Sequence, residues 1–188
     1  GENIIHIKFT AGGESLNRRE KFLYTLLVPA RAHTLFPCFD QPDIKAEYSL
    51  SLDLPQGWTS VGNSIDSKPT EPLSTYLFAF VAGEFQKGSA RRGERQISMC
   101  HRETDPEKLA QCPDILNLVF NAIEYMEEYT GMRYPFSKYD FVVVPDFQYG
   151  GMEHTGATLY NDRRIFLDPS PTTDELLNRA SLIAHETA

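Results

Sequence analysis

Apolar and polar positions change rhythm about halfway along the chain. In the first half, short runs rich in β-branched and aromatic residues (Ile4 to Phe9, Phe22 to Val28, Tyr48 to Leu54, Thr75 to Phe85) alternate with turn signals. The turn signals are Gly12-Gly13, Pro55-Gln56-Gly57 and Gly62-Asn63-Ser64. Such runs read as β-strands. With no long helical pattern between them, they predict an antiparallel β-domain rather than a βαβ unit. The stretch Gly88-Ser89-Ala90-Arg91-Arg92-Gly93 is polar and glycine-containing. It reads as a connector and divides the chain into residues 1–88 and 89–188.

Beyond it the period lengthens. Arg95 to Arg102 reads as one more strand. From Pro106 to Tyr129, Leu109, Ile115/Leu116, Val119/Phe120, Ile123 and Met126 recur at steps of three and four, with Gly131 as the stop. Phe141 to Val144 is a short strand of the buried type, and Ala157 to Tyr160 and Arg164 to Leu167 predict two more. Thr172-Thr173-Asp174-Glu175 is a capping box that opens a helix running through Leu176, Leu177, Ala180, Ile183 and Ala184 to the last residue. The class is α+β. The final helical pattern has no Gly, Pro or basic last turn, and the first strand starts almost at once, so a slice of a longer protein is expected.

Composition narrows the function classes. Of 188 residues, 41% are hydrophobic and 23% charged, ordinary globular usage that argues against disorder, coiled coil and collagen. A formal charge of −8 leaves no electrostatic footprint for nucleic acid or anionic lipid and favours a cationic or polar ligand. The best apolar run, Tyr76 to Gly83, is far short of the roughly 20 residues that span a bilayer. Cys38, Cys100 and Cys112 are odd in number without C-x-x-C spacing, so they suggest neither a disulfide scaffold nor a zinc ribbon.

Two places could carry chemistry. The last helix ends in His185-Glu186-Thr187-Ala188. This is either a solvated helix end or the start of H-E-x-x-H, in which histidines one turn apart hold zinc and the glutamate serves a metal-bound water as general base. Gly150-Gly151-Met152-Glu153-His154 is either a surface turn or a site. In the second case two glycines let backbone approach a ligand and Glu153 receives an ammonium group. His154 reads better as a hydrogen-bonded structural histidine than as a ligand. Phe36-Pro37-Cys38-Phe39-Asp40-Gln41-Pro42 reads as a rigid packed bend, with Cys38 in the core rather than a nucleophile.

Taken in order, these pieces resemble the zinc aminopeptidases of the M1 (gluzincin, aminopeptidase N-like) family. Three blocks carry the resemblance. They are Leu35 to Ala46 around Phe36-Pro37-Cys38-Phe39-Asp40, Tyr134 to Glu153 leading into the family's G-[AG]-M-E-N, and Leu182-Ile183-Ala184-His185-Glu186 entering H-E-x-x-H. Tyr76 to Phe85 fits the strand closing the family's N-terminal β-domain. The resemblance implies an antiparallel, saddle-like N-terminal β-domain, present in part, and the beginning of a thermolysin-like catalytic domain. It implies zinc with His185 as first ligand, Glu186 as general base, and a peptide substrate with a free N-terminus. Glu153 would hold the α-ammonium, and Gly150, Gly151 and Met152 would lie along the substrate. Leu26 and Val28 stand where family members often carry Gln or Glu near the substrate amine, and His154 replaces the family's Asn. With one ligand present, the chain by itself is expected to bind zinc weakly or not at all and to be inactive. A non-catalytic M1-like scaffold is the competing reading. A plain β-rich binding module explains the first half alone.

Overall fold

The computed structural model describes residues 3–64 and 68–188. In it the apolar runs assemble into two adjoining sheets. The first contains β1 (Leu16–Arg18), β2 (Phe22–Thr25), β3 (Thr59–Gly62) and β4 (Phe80–Gly83) in the order β1-β2-β4-β3, antiparallel throughout. The second contains β5 (Gln86–Arg92), β6 (Arg95–His101), β7 (Phe141–Val144), β8 (Gly151–Met152) and β9 (Thr158–Asn161) in the order β5-β6-β7-β9-β8. Its centre, β6-β7-β9, is parallel and its two edges are antiparallel. Among the described residues the α-helices are α1 (Pro106–Leu109), α2 (Cys112–Thr130), α3 (Asp162–Ile165) and α4 (Thr173–Thr187).

Strand alternation sorts the second sheet onto two cores. Met99, Phe141, Val143 and Tyr160 face α2 and α4, where they meet Ile115, Val119, Ile123 and Ile183. Cys100, Val142, Val144, Met152 and Leu159 face the opposite way and pack on Phe22, Tyr24, Leu26 and Val81 of the first sheet and its flank. A strand buried on both faces must be apolar at every position, which is why Phe141-Val142-Val143-Val144 shows no alternation.

Several elements differ from the sequence reading. Ile4 to Phe9 joins no strand, and Ile4, Ile5, Ile7 and Phe9 are 50–78% exposed. Tyr48 to Leu54 is irregular: Tyr48 is hydrogen-bonded to Thr70, and Tyr48 and Leu50 pack on the cluster around Leu27 and Phe78. β-propensity becomes a strand only where a partner edge and a face to bury exist. β3, Thr59–Gly62, takes that edge of the first sheet instead. The run Thr75 to Phe85 divides into a 3₁₀ turn (Thr75–Leu77) and β4. Gly88 to Gly93 is not a connector: it is β5 and its hairpin turn, paired along its length with the buried β6, with Gly93 at φ +60°. Arg164 to Leu167 is no strand: Arg164 and Ile165 end α3, which is capped by the Asn161 side chain, and Phe166 and Leu167 follow it. The long helix breaks at Ala110–Gln111, because Pro113 accepts only a first-turn position. Gly131, at φ +69°, ends α2 as expected.

Candidate active site

Helix α4 is anchored at its start. Thr172 Oγ1 accepts the Glu175 N–H at 3.2 Å, and Glu175 Oε2 accepts the Thr172 N–H at 2.8 Å, the reciprocal capping box. Ile183 turns into the α2-side core. Leu182 and Glu186, one turn apart, lie over β8. A Cβ built on Gly151 would stand 2.5–2.6 Å from Cγ, Cδ and Oε1 of Glu186, and one on Gly150 would stand 3.2 Å from Leu182 Cδ1. The glycine pair therefore lets a helix side chain reach strand backbone, a closer partner than the ligand the sequence suggested.

β8 is an edge of the second sheet, held to β9 by the Gly151–Tyr160 and Met152–Leu159 pairs and by Asn161 N–H to Gly150 O at 2.9 Å. Alternation places Gly151 and Glu153 on the α4 side. The Met152 side chain turns into the core beside Leu26. Glu153 is exposed and Glu186 half-buried. Burial raises the Glu186 carboxyl above the ordinary carboxylate range, the neighbouring His185 pulls it down, and Glu153 pushes it up again. Two carboxyls and an imidazole thus share one local field. His185 is exposed and opens on a cleft of about 610 Å³ shared with Gly150, Arg163, Arg164, Asn178 and Leu182.

A catalytic zinc needs three protein donors. Among the described residues no group of three His, Cys, Asp or Glu side chains could hold a metal. His185 is a single donor, so these residues alone do not fit a zinc centre.

The surroundings of the site hold further findings. His154 is fully buried, but neither Nδ1 nor Nε2 has a hydrogen-bond partner, contrary to the hydrogen-bonded histidine expected. Burial drives its pKa down to about 3. Leu26 is buried in the core and Val28 packs against it, so neither offers a polar contact to an amine. In the proline-rich bend, Phe36 and Cys38 pack against the core beside the first sheet. Burial works against the Asp40 charge, yet bonds from Thr75 Oγ1 at 2.6 Å and from His33 prevail and hold its carboxyl below the usual range. Sequence reasoning missed the role of Asn63, which grips the turn after Glu153. No local pattern marks that role, because Asn63 acts on a residue distant in the chain.

Comparison with known proteins places the whole arrangement. Residues 9–80 match the peptidase M1 N-terminal domain and residues 115–188 match the peptidase family M1 domain. The chain is 31% identical over 173 residues to human glutamyl aminopeptidase, covering 84% of this chain and 18% of that protein. It is 30% identical over 212 residues to aminopeptidase N of Streptomyces lividans, covering 100% and 24%. It is 31% identical over 189 residues to the puromycin-sensitive aminopeptidase of Caenorhabditis elegans, covering 92% and 20%. With both family domains matched in order, the chain belongs to the M1 peptidase family, spanning about a fifth of the length of these relatives.

Proposed function

We propose that the chain contributes the amine-binding strand and the catalytic base of a zinc-dependent aminopeptidase. The observation that supports this most directly is the Glu186 carboxyl seated on Gly151, in the field of both Glu153 and His185, with its proton affinity raised by burial. A carboxylate tuned upward is better matched to taking a proton near neutral pH. Glu153 holds the α-ammonium of a peptide, and the backbone of Gly150, Gly151 and Met152 runs beside its first residues. Anchoring the ammonium fixes the scissile bond one residue from the chain end, which makes cleavage exo rather than endo. His185 gives one donor to the metal, whose chemistry when bound is to polarise the scissile carbonyl and activate water. With that one donor, the 188-residue chain by itself holds no stoichiometric zinc and cleaves no peptide. The two domains divide into residues 1–88 and 89–188, close to where the first sheet ends at Gly83 and the second begins at Gln86.

Leu26 and Val28, apolar where the family often has an amide or a carboxylate, favour the scaffold reading. The deciding experiment uses the protein that carries this segment together with a complete catalytic domain. Metal content and release of amino-acid amides are measured for wild type and Glu186→Gln. One zinc per chain, with activity falling at least about a hundredfold in the variant while the metal stays, supports the aminopeptidase. A well-folded protein with neither zinc nor activity establishes the scaffold.

A further inference from the structure

We propose that Asn63, on the first sheet, is a positioning residue for Glu153, acting through the turn that follows it. The inference rests on the reading of Glu153 as the ammonium-binding carboxylate. Among the described residues no hydrogen bond or ion pair to the Glu153 side chain is found, so its place is set by the backbone on either side. Before it stands β8, paired to β9. After it comes the turn His154-Thr155-Gly156-Ala157, closed by the Ala157 N–H to His154 O at 3.0 Å.

The peptide unit joining Thr155 to Gly156 is gripped at its carbonyl. Asn63 Nδ2 donates to Thr155 O at 2.9 Å. The Asn63 amide has no freedom left. Nδ2 also donates to Leu77 O at 2.8 Å, Oδ1 accepts the Ala79 N–H at 2.7 Å, and the residue is 6% exposed. Nδ2 uses both protons and Oδ1 takes a backbone N–H, so one orientation satisfies the group. Asn63 directly follows β3, and Leu77 and Ala79 precede β4, so its amide is locked to the first sheet before it reaches the turn. The backbones also touch. A Cβ on Gly156, which sits at φ +70°, would stand 2.4 Å from Asn63 O, an approach open to glycine alone. The first sheet thereby sets the height of Glu153 above Gly151 and Glu186.

A role that is only structural and a role through Glu153 are separated by a double-mutant cycle. KM and kcat for an amino-acid amide are measured in the active enzyme carrying this segment, for Asn63→Ala, Glu153→Gln and both together, with thermal melts alongside. The expected result is a KM about tenfold higher for Asn63→Ala with kcat within about twofold, and almost no further rise in the Glu153→Gln background. Gly156→Ala, which pushes on the same contact from the other side, is expected to raise KM likewise, and it carries the test if Asn63→Ala fails to fold. Exchange of the Ala157 amide hydrogen, which closes the turn onto His154 O, is expected to quicken at least about tenfold in Asn63→Ala. An unchanged KM in Asn63→Ala, with Glu153→Gln impaired, overturns the inference and leaves the reading of Glu153 intact. Equal KM changes for Asn63→Ala in both backgrounds also overturn it, leaving Asn63 merely structural. No KM change in Glu153→Gln overturns the reading itself.

Discussion

The buried His154 makes acid sensitivity a quantitative consequence of the fold. In the unfolded chain its imidazole titrates near 6.5, and in the folded protein at about 3, because burial disfavours the cation and no partner compensates. Above pH 6.5 both states carry a neutral ring, so the group leaves stability unchanged. Below 6.5 the unfolded state takes up a proton that the folded state refuses. Stability therefore falls as the pH drops from 6.5 towards 3. Each pH unit is worth roughly 1.4 kcal/mol, and the whole interval comes to on the order of 5 kcal/mol, comparable to the total stability of many domains. His154→Asn, which places the family's own residue there, removes this titration. Urea unfolding of wild type and variant between pH 7 and pH 4 is the assay. The carboxyl groups common to both proteins cancel in the difference. The wild type is expected to lose stability more steeply by about 1 kcal/mol per pH unit below pH 6. Parallel pH profiles for the two proteins would refute the argument, since they would mean that His154 is hydrated or paired.

Two further outcomes follow from the glycines. Gly151→Ala places a methyl 2.5 Å from Glu186 Cγ, so the flexible glutamate must move by about 1 Å to regain van der Waals contact. The fold is expected to survive with little change in Tm, while under the proposed role of Glu186 as base a displacement of that size is expected to cost on the order of a hundredfold in peptidase activity of the protein that carries this segment. In the 188-residue chain, NMR titration should find the Glu186 pKa lowered towards the ordinary range as the carboxyl leaves its niche, and an unchanged titration would contradict the contact. Gly83 faces Phe22 across the β2–β4 pair, where a Cβ would meet Phe22 Cβ at 2.5 Å and Lys21 O at 2.7 Å. Backbone cannot yield as a glutamate side chain does, so Gly83→Ala is expected to destabilise the protein by about 1–3 kcal/mol, read as an earlier midpoint in urea.

What could be read along the chain was whatever the chain decides locally. The capping box at Thr172 and Glu175 starts α4, and Gly131 ends α2, through bonds and dihedrals confined to a few residues. Phe141 to Val144 declared a buried strand because both of its faces needed covering. The order of three motifs marked the family, which the matches to both M1 domains bear out. Even Gly150 and Gly151 were visible as places of close approach, though not what approaches them.

Pairing and burial between distant segments were decided only by the folded molecule. Polar β5 is a strand because β6 offers it an edge, whereas Ile4 to Phe9, far more strand-like by composition, meets no edge and stays exposed. The sequence contains Asn63 and Thr155 but cannot say that an amide 92 residues away fastens the turn beside Glu153. The sequence suggests a structural, hydrogen-bonded His154, and only the fold shows a fully buried ring with neither nitrogen paired. The division has a physical cause. Caps, turns and periodicity are set by neighbours within about four residues, while the place of Glu153 and the proton affinity of Glu186 depend on which surfaces the fold brings together and closes to water.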